Sequence, residues 1–397
     1  MSAPHSLIST DEALDALLSR LAEVSEIALD TEFHSEGTYW PRLMLVQLAT
    51  RKEVAVVDPL AAPIKARLPE LFQAICGPRK VILGHALEND LAFVLRVGGV
   101  LPSRVFDTQI AAGFAGRGHP IGLGQLASDT LGVELDKSFA ASNWAQRPLS
   151  ADQLEYAMDD VRHMVPLTEK LGQELAKQGR LAWVVEECGR LLDAERYAPT
   201  EPRETWRNVR RRPTAEGAEL TRLRELAAER ERLARELDLP RLMVLPDDAL
   251  VDLARRGPTD EKTLRNKTLR RSSPNVGNYG SRWLAAIARA AQDTGSAGLL
   301  AQPTPLEDAV LGLLRLRARA AAVAVGVAPG LLLEPIEARL IDVVRTPPAT
   351  AEALVETLDL SDGWRADLLA EPLMALLEGK ESAALKSTSG ALELVWR

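Results

Sequence analysis

Two cysteines in 397 residues, Cys76 and Cys188, cannot form a disulfide framework, and neither has the C-x-x-C partner from which zinc sites are built. A reducing compartment suits such a chain, and the cytoplasm is the expected location. Aromatic residues are equally scarce, at 4%, while Ala, Leu and Arg are plentiful, which leans the chain towards helix. No apolar run is long enough to cross a bilayer, and none carries the flanks of a signal peptide, so no membrane partner is expected. What remains is ordinary globular material. Hydrophobic residues at 46% supply packed cores, and the length predicts two or three domains.

The net charge of −8 hides an asymmetry: residues 203–290 hold twenty Lys/Arg against thirteen Asp/Glu. A basic block in an acidic protein points to a polyanionic partner. A solvated helical surface with paired charges accounts for the same counts, so charge alone decides nothing.

The first 200 residues alternate strand-like and helix-like segments. "EIALDTEF", "LMLVQLAT" and "EVAVVDP" read as sequential strands with short connections, an antiparallel meander. The helical "LPELFQAIC", strand "KVILGH", helix "NDLAFVLRVGG" and strand "RVFDT" follow, a βαβ rhythm that predicts a parallel part of the same sheet. One amphipathic helix is expected through "ADQLEYAMDDVRHMVPLTEKLGQEL". These features predict an α/β domain with a mixed sheet over residues 1–200. A Pro- and Arg-rich linker spans 201–217, and helical modules are expected at 218–293 and 303–387. The junction between the modules is read at "GSAGLLAQPTPLED".

An apolar run ending in two carboxylates, Asp30 and Glu32, is the oddity of the first domain. Residues i and i+2 of a strand share a face, so the two acids project together and repel unless a cation lies between them. Mg²⁺ and Mn²⁺ take such hard oxygen ligands, whereas a solvated strand end is the plain alternative. Asp90 in "HALENDL" begins a helix after a strand; a macrodipole-favoured N-terminal charge is its ordinary explanation. Tyr156 and Asp160 stand at i and i+4, on one helix face, with Asp159 on another; an amphipathic helix with a half-buried Tyr would look the same.

Taken together, "ALDTEFHSEGTYWPRLMLVQLA", "VILGHALENDLAFVLRVGGVLPSRVFDTQIAAGFAG" and "SNWAQRPLSADQLEYAMDDV" resemble the three exonuclease motifs of ribonuclease D. That family has a tyrosine in its third motif and belongs to the DEDD superfamily of 3′-to-5′ exonucleases, with a ribonuclease H-like (DnaQ-like) fold. The likeness covers roughly residues 10–200. The basic block is similar to an HRDC domain (helicase and ribonuclease D, C-terminal), although "NVGNYGSRWLAAIARA" departs from the usual wording. Residues 303–387 resemble a diverged second copy.

The resemblance implies that Asp30, Glu32, Asp90 and Asp160 ligate two divalent ions, Mg²⁺ or Mn²⁺, and that Tyr156 places the attacking water. Asp107 is read as a helix cap, and His85 as a near-core histidine or a support to the site. The expected substrate is RNA with an accessible 3′ end, a transfer-RNA precursor being what the family implies, and the expected state is a monomer. "WRNVRRRP" and the Arg-rich helices are the expected nucleic-acid contacts, and deletion past about residue 210 is expected to weaken binding more than chemistry. The acidic final block leaves open that it packs on the catalytic domain. A DNA exonuclease uses the same four acids, and a non-catalytic nucleic-acid-binding protein could share the fold, although intact acids count against it. A structural scaffold would leave the acids unexplained.

Overall fold

The apolar runs that open the chain become a single mixed sheet in the computed structural model, which describes residues 6–397 apart from 137, 140–141, 214–216, 265–274, 294–301, 361–362 and 389–390. The first seven residues of the junction read at 295–308 lie outside the described residues. The strands are β1 (Ser6–Ile8), β2 (Glu26–His34), β3 (Arg42–Ala49), β4 (Val54–Val57), β5 (Val81–Gly84) and β6 (Val105–Asp107). Their order is β1-β4-β3-β2-β5-β6. The β3–β4 pair is antiparallel, whereas β2–β5 and β5–β6 are parallel, so the sheet is mixed as expected. Strand β1, parallel to β4, was not expected; three residues are too few to show a period.

Helices α1 (Asp11–Ala22), α2 (Ala62–Ile75) and α3 (Glu88–Gly98) follow their strands. Thr10 caps α1 by accepting from Ala13 N at 3.3 Å, and Leu14, Leu17 and Leu21 form its buried stripe. In α3, Gly98 lets the helix lie on α2: a Cβ there would meet Phe72 Cβ at 2.5 Å. Then come α4 (Thr108–Phe114), α5 (Leu123–Leu131), α6 (Ala151–Arg162), α7 (Met164–Lys177) and α8 (Leu181–Gly189). The single long helix expected over 151–175 is thus two, broken at His163. Pro166 explains the break: it has no N–H to bond the carbonyl of Arg162 and its ring would clash there, so it is accommodated in the first turn of a new helix.

The chain folds as two compact units. One contains Met1–Glu32, Leu43–Tyr197 and Pro303–Arg397. Its core runs from Leu14, Phe72 and Phe114 into Leu314, Leu332, Trp364 and Leu373 of the final block. Trp364 stacks on Trp183 (centroids 6.0 Å apart) and meets Phe114 edge-on at 4.7 Å, while Arg365 pairs with Glu187 at 2.5 Å. A cut near residue 210 therefore removes part of this unit's own core, so that deletion tests folding rather than grip. The final block also departs from an all-helical expectation: Ala383–Thr388 and Ala391–Trp396 pair as an antiparallel hairpin.

The second unit contains Ala198–Gln302 and, from the β2–β3 connection, Phe33–Arg42. Its centre is α9 (Ala218–Leu237), with α10 (Arg241–Val244), α11 (Asp247–Arg256), α12 (Glu261–Leu264) and a further helix Gly280–Ala290. Leu220, Leu223, Leu226, Leu253, Trp206 and Trp283 form the core, with Tyr39 packed against it. Tyr39 donates its hydroxyl to Glu231, which also receives Arg235 and Arg241. Asp238 accepts the backbone N–H groups of Tyr39 (3.1 Å) and Trp40 (3.0 Å).

Most described arginines of this unit's helices are spent internally. Arg230 bonds Asp247 at 2.7 Å, Arg282 bonds Glu229 and Glu236 at 2.6 Å each, and Arg289 bonds Glu225 at 3.1 Å and Glu229 at 2.9 Å. They are not the open contacts expected from their number. Arg210, Arg211 and Arg212 are exposed, and the Arg211–Asp248 ion pair is itself exposed.

Candidate active site

Parallel register places the acids. Ala28 pairs with Leu83, so Gly84 comes level with Leu29 and the chain leaving β5 turns beside Asp30 and Glu32. That turn is tight: a Cβ on Gly84 would stand 2.2 Å from Leu87 Cδ2 and 3.0 Å from the carbonyl of Leu29. Ala86 takes a left-handed φ of 57°. Asp107 secures the turn by accepting from Ala86 N (3.1 Å) and Leu87 N (2.8 Å), and it also caps α4 through Gln109 N at 2.8 Å. It is the structural cap expected from its place. Helix α3 then buries Asp90 in its first turn, where the carboxylate accepts from Thr31 Oγ1 at 2.6 Å.

The other acid arrives on α6. A capping box starts this helix, Ser150 Oγ accepting from Gln153 N at 3.1 Å and Gln153 Oε1 from Ser150 N at 3.0 Å. Ala157, Met158 and Val161 face inward. Tyr156 and Asp160 share one face, while Asp159 turns to Arg162 at 2.6 Å.

Ligand oxygens of Asp30, Glu32 and Asp160 lie within 4.8 Å of one another, and all three side chains are half-buried. Asp90 is outside this group, one step back behind Thr31. Burial, then Asp90, pushes Asp30 well above the usual carboxylate range. Burial, then Asp30, Asp160 and Asp90, raises Glu32 to about 9. Burial raises Asp90 to about 7, against the bond from Thr31; burial, then Asp30, raises Asp160 to about 8. No lysine or arginine is among these causes. Four oxygen-donor acids so placed fit a hard divalent cation, which would supply the missing positive charge.

Tyr156 lies against this cluster. Burial and the charges of Asp160, Glu32 and Asp30 raise its pKa, so it stays a protonated phenol and a hydrogen-bond donor. Its ring is 5.9 Å from that of Trp144 and 6.3 Å from that of Phe139. His85 is satisfied on both nitrogens, by Thr108 Oγ1 at 3.0 Å and the carbonyl of Ile121 at 2.9 Å, and burial lowers its pKa. It is the near-core histidine. Thr31 was missed by the sequence reading; a lone Thr between two acids on a strand gives no signal until α3 is packed beside it.

Comparison with known proteins follows the same lines. Residues 6–176 match the family model of a 3′-5′ exonuclease, and residues 219–287 that of an HRDC domain. The chain is 33% identical to ribonuclease D of Sphingobium indicum, over 96% of this chain and 97% of that one. It is 35% identical to ribonuclease D of Granulibacter bethesdensis, over 94% and 93%. Its structure resembles that of Escherichia coli RNase D, an exoribonuclease involved in structured RNA processing, with a TM-score of 0.80 and 30% identity over 96% of this chain and 99% of that one.

Proposed function

The chain belongs to the ribonuclease D family of 3′-to-5′ exoribonucleases, and on that premise we propose that it hydrolyses RNA from the 3′ end to nucleoside 5′-monophosphates by two-metal-ion catalysis, with transfer-RNA precursors as substrate. The observation that carries the reading is the uncompensated cluster of Asp30, Glu32 and Asp160 within 4.8 Å, with Asp90 behind it. Asp30, Glu32 and Asp160 would hold one ion, and Asp30 with Asp90 the other, Asp90 acting at the longer reach that its position behind Thr31 implies. Bound divalent ions, Mg²⁺ or Mn²⁺, supply Lewis-acid activation of water and neutralise charge on the scissile phosphate.

The chain's own groups do the rest. Tyr156 donates its phenol hydrogen bond to orient the attacking water, since a phenol raised above its ordinary pKa is no base at neutral pH. Thr31 fixes the rotamer of Asp90. The exposed Arg210, Arg211 and Arg212 give a phosphate-binding run, whose contribution is salt dependent by counterion release.

In domain terms, residues 1–200 are the exonuclease, 218–293 the HRDC domain and 303–387 a diverged second copy that completes the catalytic core, while the 201–217 segment read as a linker packs into the HRDC unit's core through Trp206 and Val209. The enzyme works as a cytoplasmic monomer.

The test uses a 5′-labelled oligoribonucleotide with a single-stranded 3′ tail, and a DNA of the same sequence, with Mg²⁺, Mn²⁺ or EDTA. A metal-dependent ladder shortening from the 3′ end of the RNA, absent with Asp30→Asn, is the expected result. Preference for the DNA would overturn the RNA assignment, and binding without cleavage would overturn the enzymatic one.

A further inference from the structure

Among the described residues between Phe139 and the start of α6, Arg147 makes the most extensive set of side-chain hydrogen bonds. Arg147 uses all five of its N–H donors. Its Nε and Nη2 grip Asp58 in a two-pronged bridge at 2.8 and 2.7 Å. Nη2 also reaches the carbonyl of Met44 on β3 at 2.8 Å, and Nη1 reaches the carbonyls of Trp144 and Gln146 at 2.8 Å each. Asp58 is itself anchored at the end of β4: its N–H bonds the carbonyl of Ile8 at 3.0 Å, and its carboxylate accepts from Leu60 N at 3.0 Å. Its pKa is lowered although burial works the other way, because the Arg147 guanidinium and the backbone N–H groups of Leu60 and Ala61 together outweigh burial. One guanidinium thus ties the 144–147 turn to two neighbouring strands of the sheet.

What this turn carries is the wall of the tyrosine. Trp144 is 4% exposed and packs with Met44, Leu45, Leu149 and Met158, its ring 5.9 Å from Tyr156. Three residues beyond Arg147, Ser150 opens α6, the helix that bears both Tyr156 and Asp160. Asp160 has a second constraint, its neighbours in the acidic cluster. The Tyr156 hydroxyl bonds Asp160, but the orientation of its ring rests on its packing, to which the turn contributes Trp144.

We propose that Arg147 is a positioning residue for catalysis: by clamping the 144–147 turn to Asp58 and Met44 it sets the Trp144 ring against Tyr156, and so fixes where the phenol hydroxyl points over the acidic cluster. The proposal rests on the role given to Tyr156 above. It requires the planar fork, not the charge alone. Lysine at 147 keeps the charge but has three donors on a point-like head, and cannot span Asp58, Met44 and Trp144 together.

The experiment is a double-mutant cycle on the full-length protein with the labelled oligoribonucleotide and saturating Mg²⁺, comparing wild type, Arg147→Lys, Tyr156→Phe and the double variant. Asp58→Asn serves as a second route to the same clamp. Arg147→Lys and Asp58→Asn are each expected to lower kcat by about 10- to 10²-fold, the scale on which a misplaced catalytic group acts, with KM within about twofold. In the Tyr156→Phe background, Arg147→Lys should cost almost nothing further, because the group it positions is gone. Full additivity would overturn the proposal, as would a rise in KM at constant kcat, or a loss of activity that tracks a fall in folded fraction by thermal unfolding. Wild-type turnover in Tyr156→Phe alone would instead overturn the tyrosine's role, and this inference with it.

Discussion

Two sets of buried carboxylates in this molecule are treated in opposite ways. Asp30, Glu32 and Asp160 face one another with no lysine or arginine among the causes of their shifts, and their pKa values are raised. On α9, Glu225, Glu229 and Glu231 are at least as well buried, yet each meets arginine: Arg203 and Arg289 on Glu225, Arg282 and Arg289 on Glu229, Arg235 and Arg241 on Glu231. Burial pushes Glu229 and Glu231 upward as well, but their arginines, joined at Glu231 by Tyr39, outweigh it and the pKa falls. Where the chain supplies its own counter-charge the acid holds the fold. Where it withholds one, the acid is free to hold something that arrives from outside.

The sharpest way to break the comparison is to neutralise one member of each set. Asp30→Asn or Asp160→Asn should lower turnover by at least about 10²-fold, the scale of removing one electrostatic stabiliser, while thermal unfolding without divalent ions stays level or rises as repulsion is relieved. A drop in stability matching that of a core substitution would place these acids in the structural class. Glu231→Ala should act in reverse. Removing one partner from a buried ion network costs about 3 kcal/mol, read as a lower urea midpoint at unchanged slope. A loss below about 1 kcal/mol would mean that the Tyr39–Glu231 contacts are incidental.

The two sets also respond oppositely to pH. Asp90, Asp160 and Glu32, raised from 3.8, 3.8 and 4.5 to about 7, 8 and 9, bind more protons in the native state than in the unfolded chain. Their contribution to stability is therefore present below the ordinary carboxylate range and is lost as pH rises through 7 to 9. Mg²⁺ should offset that loss, so the gap in Tm with and without Mg²⁺ should be wider near about pH 9 than near about pH 6. A gap that narrows with pH would exclude the cluster as the binding site. The smallest effect belongs to the surface: Arg211→Ala removes a pair 81% and 75% exposed, and should shift stability by less than about 0.5 kcal/mol. It should still reduce the salt dependence of RNA binding by about one charge.

The sequence reading of the site rested on patterns that survive without tertiary knowledge. Asp30 and Glu32 stood out because an apolar strand rarely ends in two acids on one face, and Tyr156 with Asp160 because i and i+4 share a helix face. The supports were hidden. Thr31 and Arg147 act through partners 59 and 89 positions away, a separation that no local period encodes. The mixed sheet was legible in the apolar runs and their spacing, but β1 was too short. The helix break at His163 was missed by weighing the apolar period above Pro166. Counting arginines in 203–290 gave the charge but not its pairing, since ion pairing on α9 depends on which helices pack there.

The placement of Phe33–Arg42 has a further consequence, in time rather than space. Tyr39 leaves the ribosome long before Glu231, and Phe114 long before Trp364, which it meets edge-on. At ordinary synthesis speeds of roughly 5–20 residues per second, each early partner waits on the order of ten seconds or more for its late one. During that interval the β2–β3 connection lacks its partner on α9 and the catalytic core lacks one wall. The nascent exonuclease thus lacks that wall until Trp364 emerges, and a pause in translation between 200 and 300 would prolong the interval.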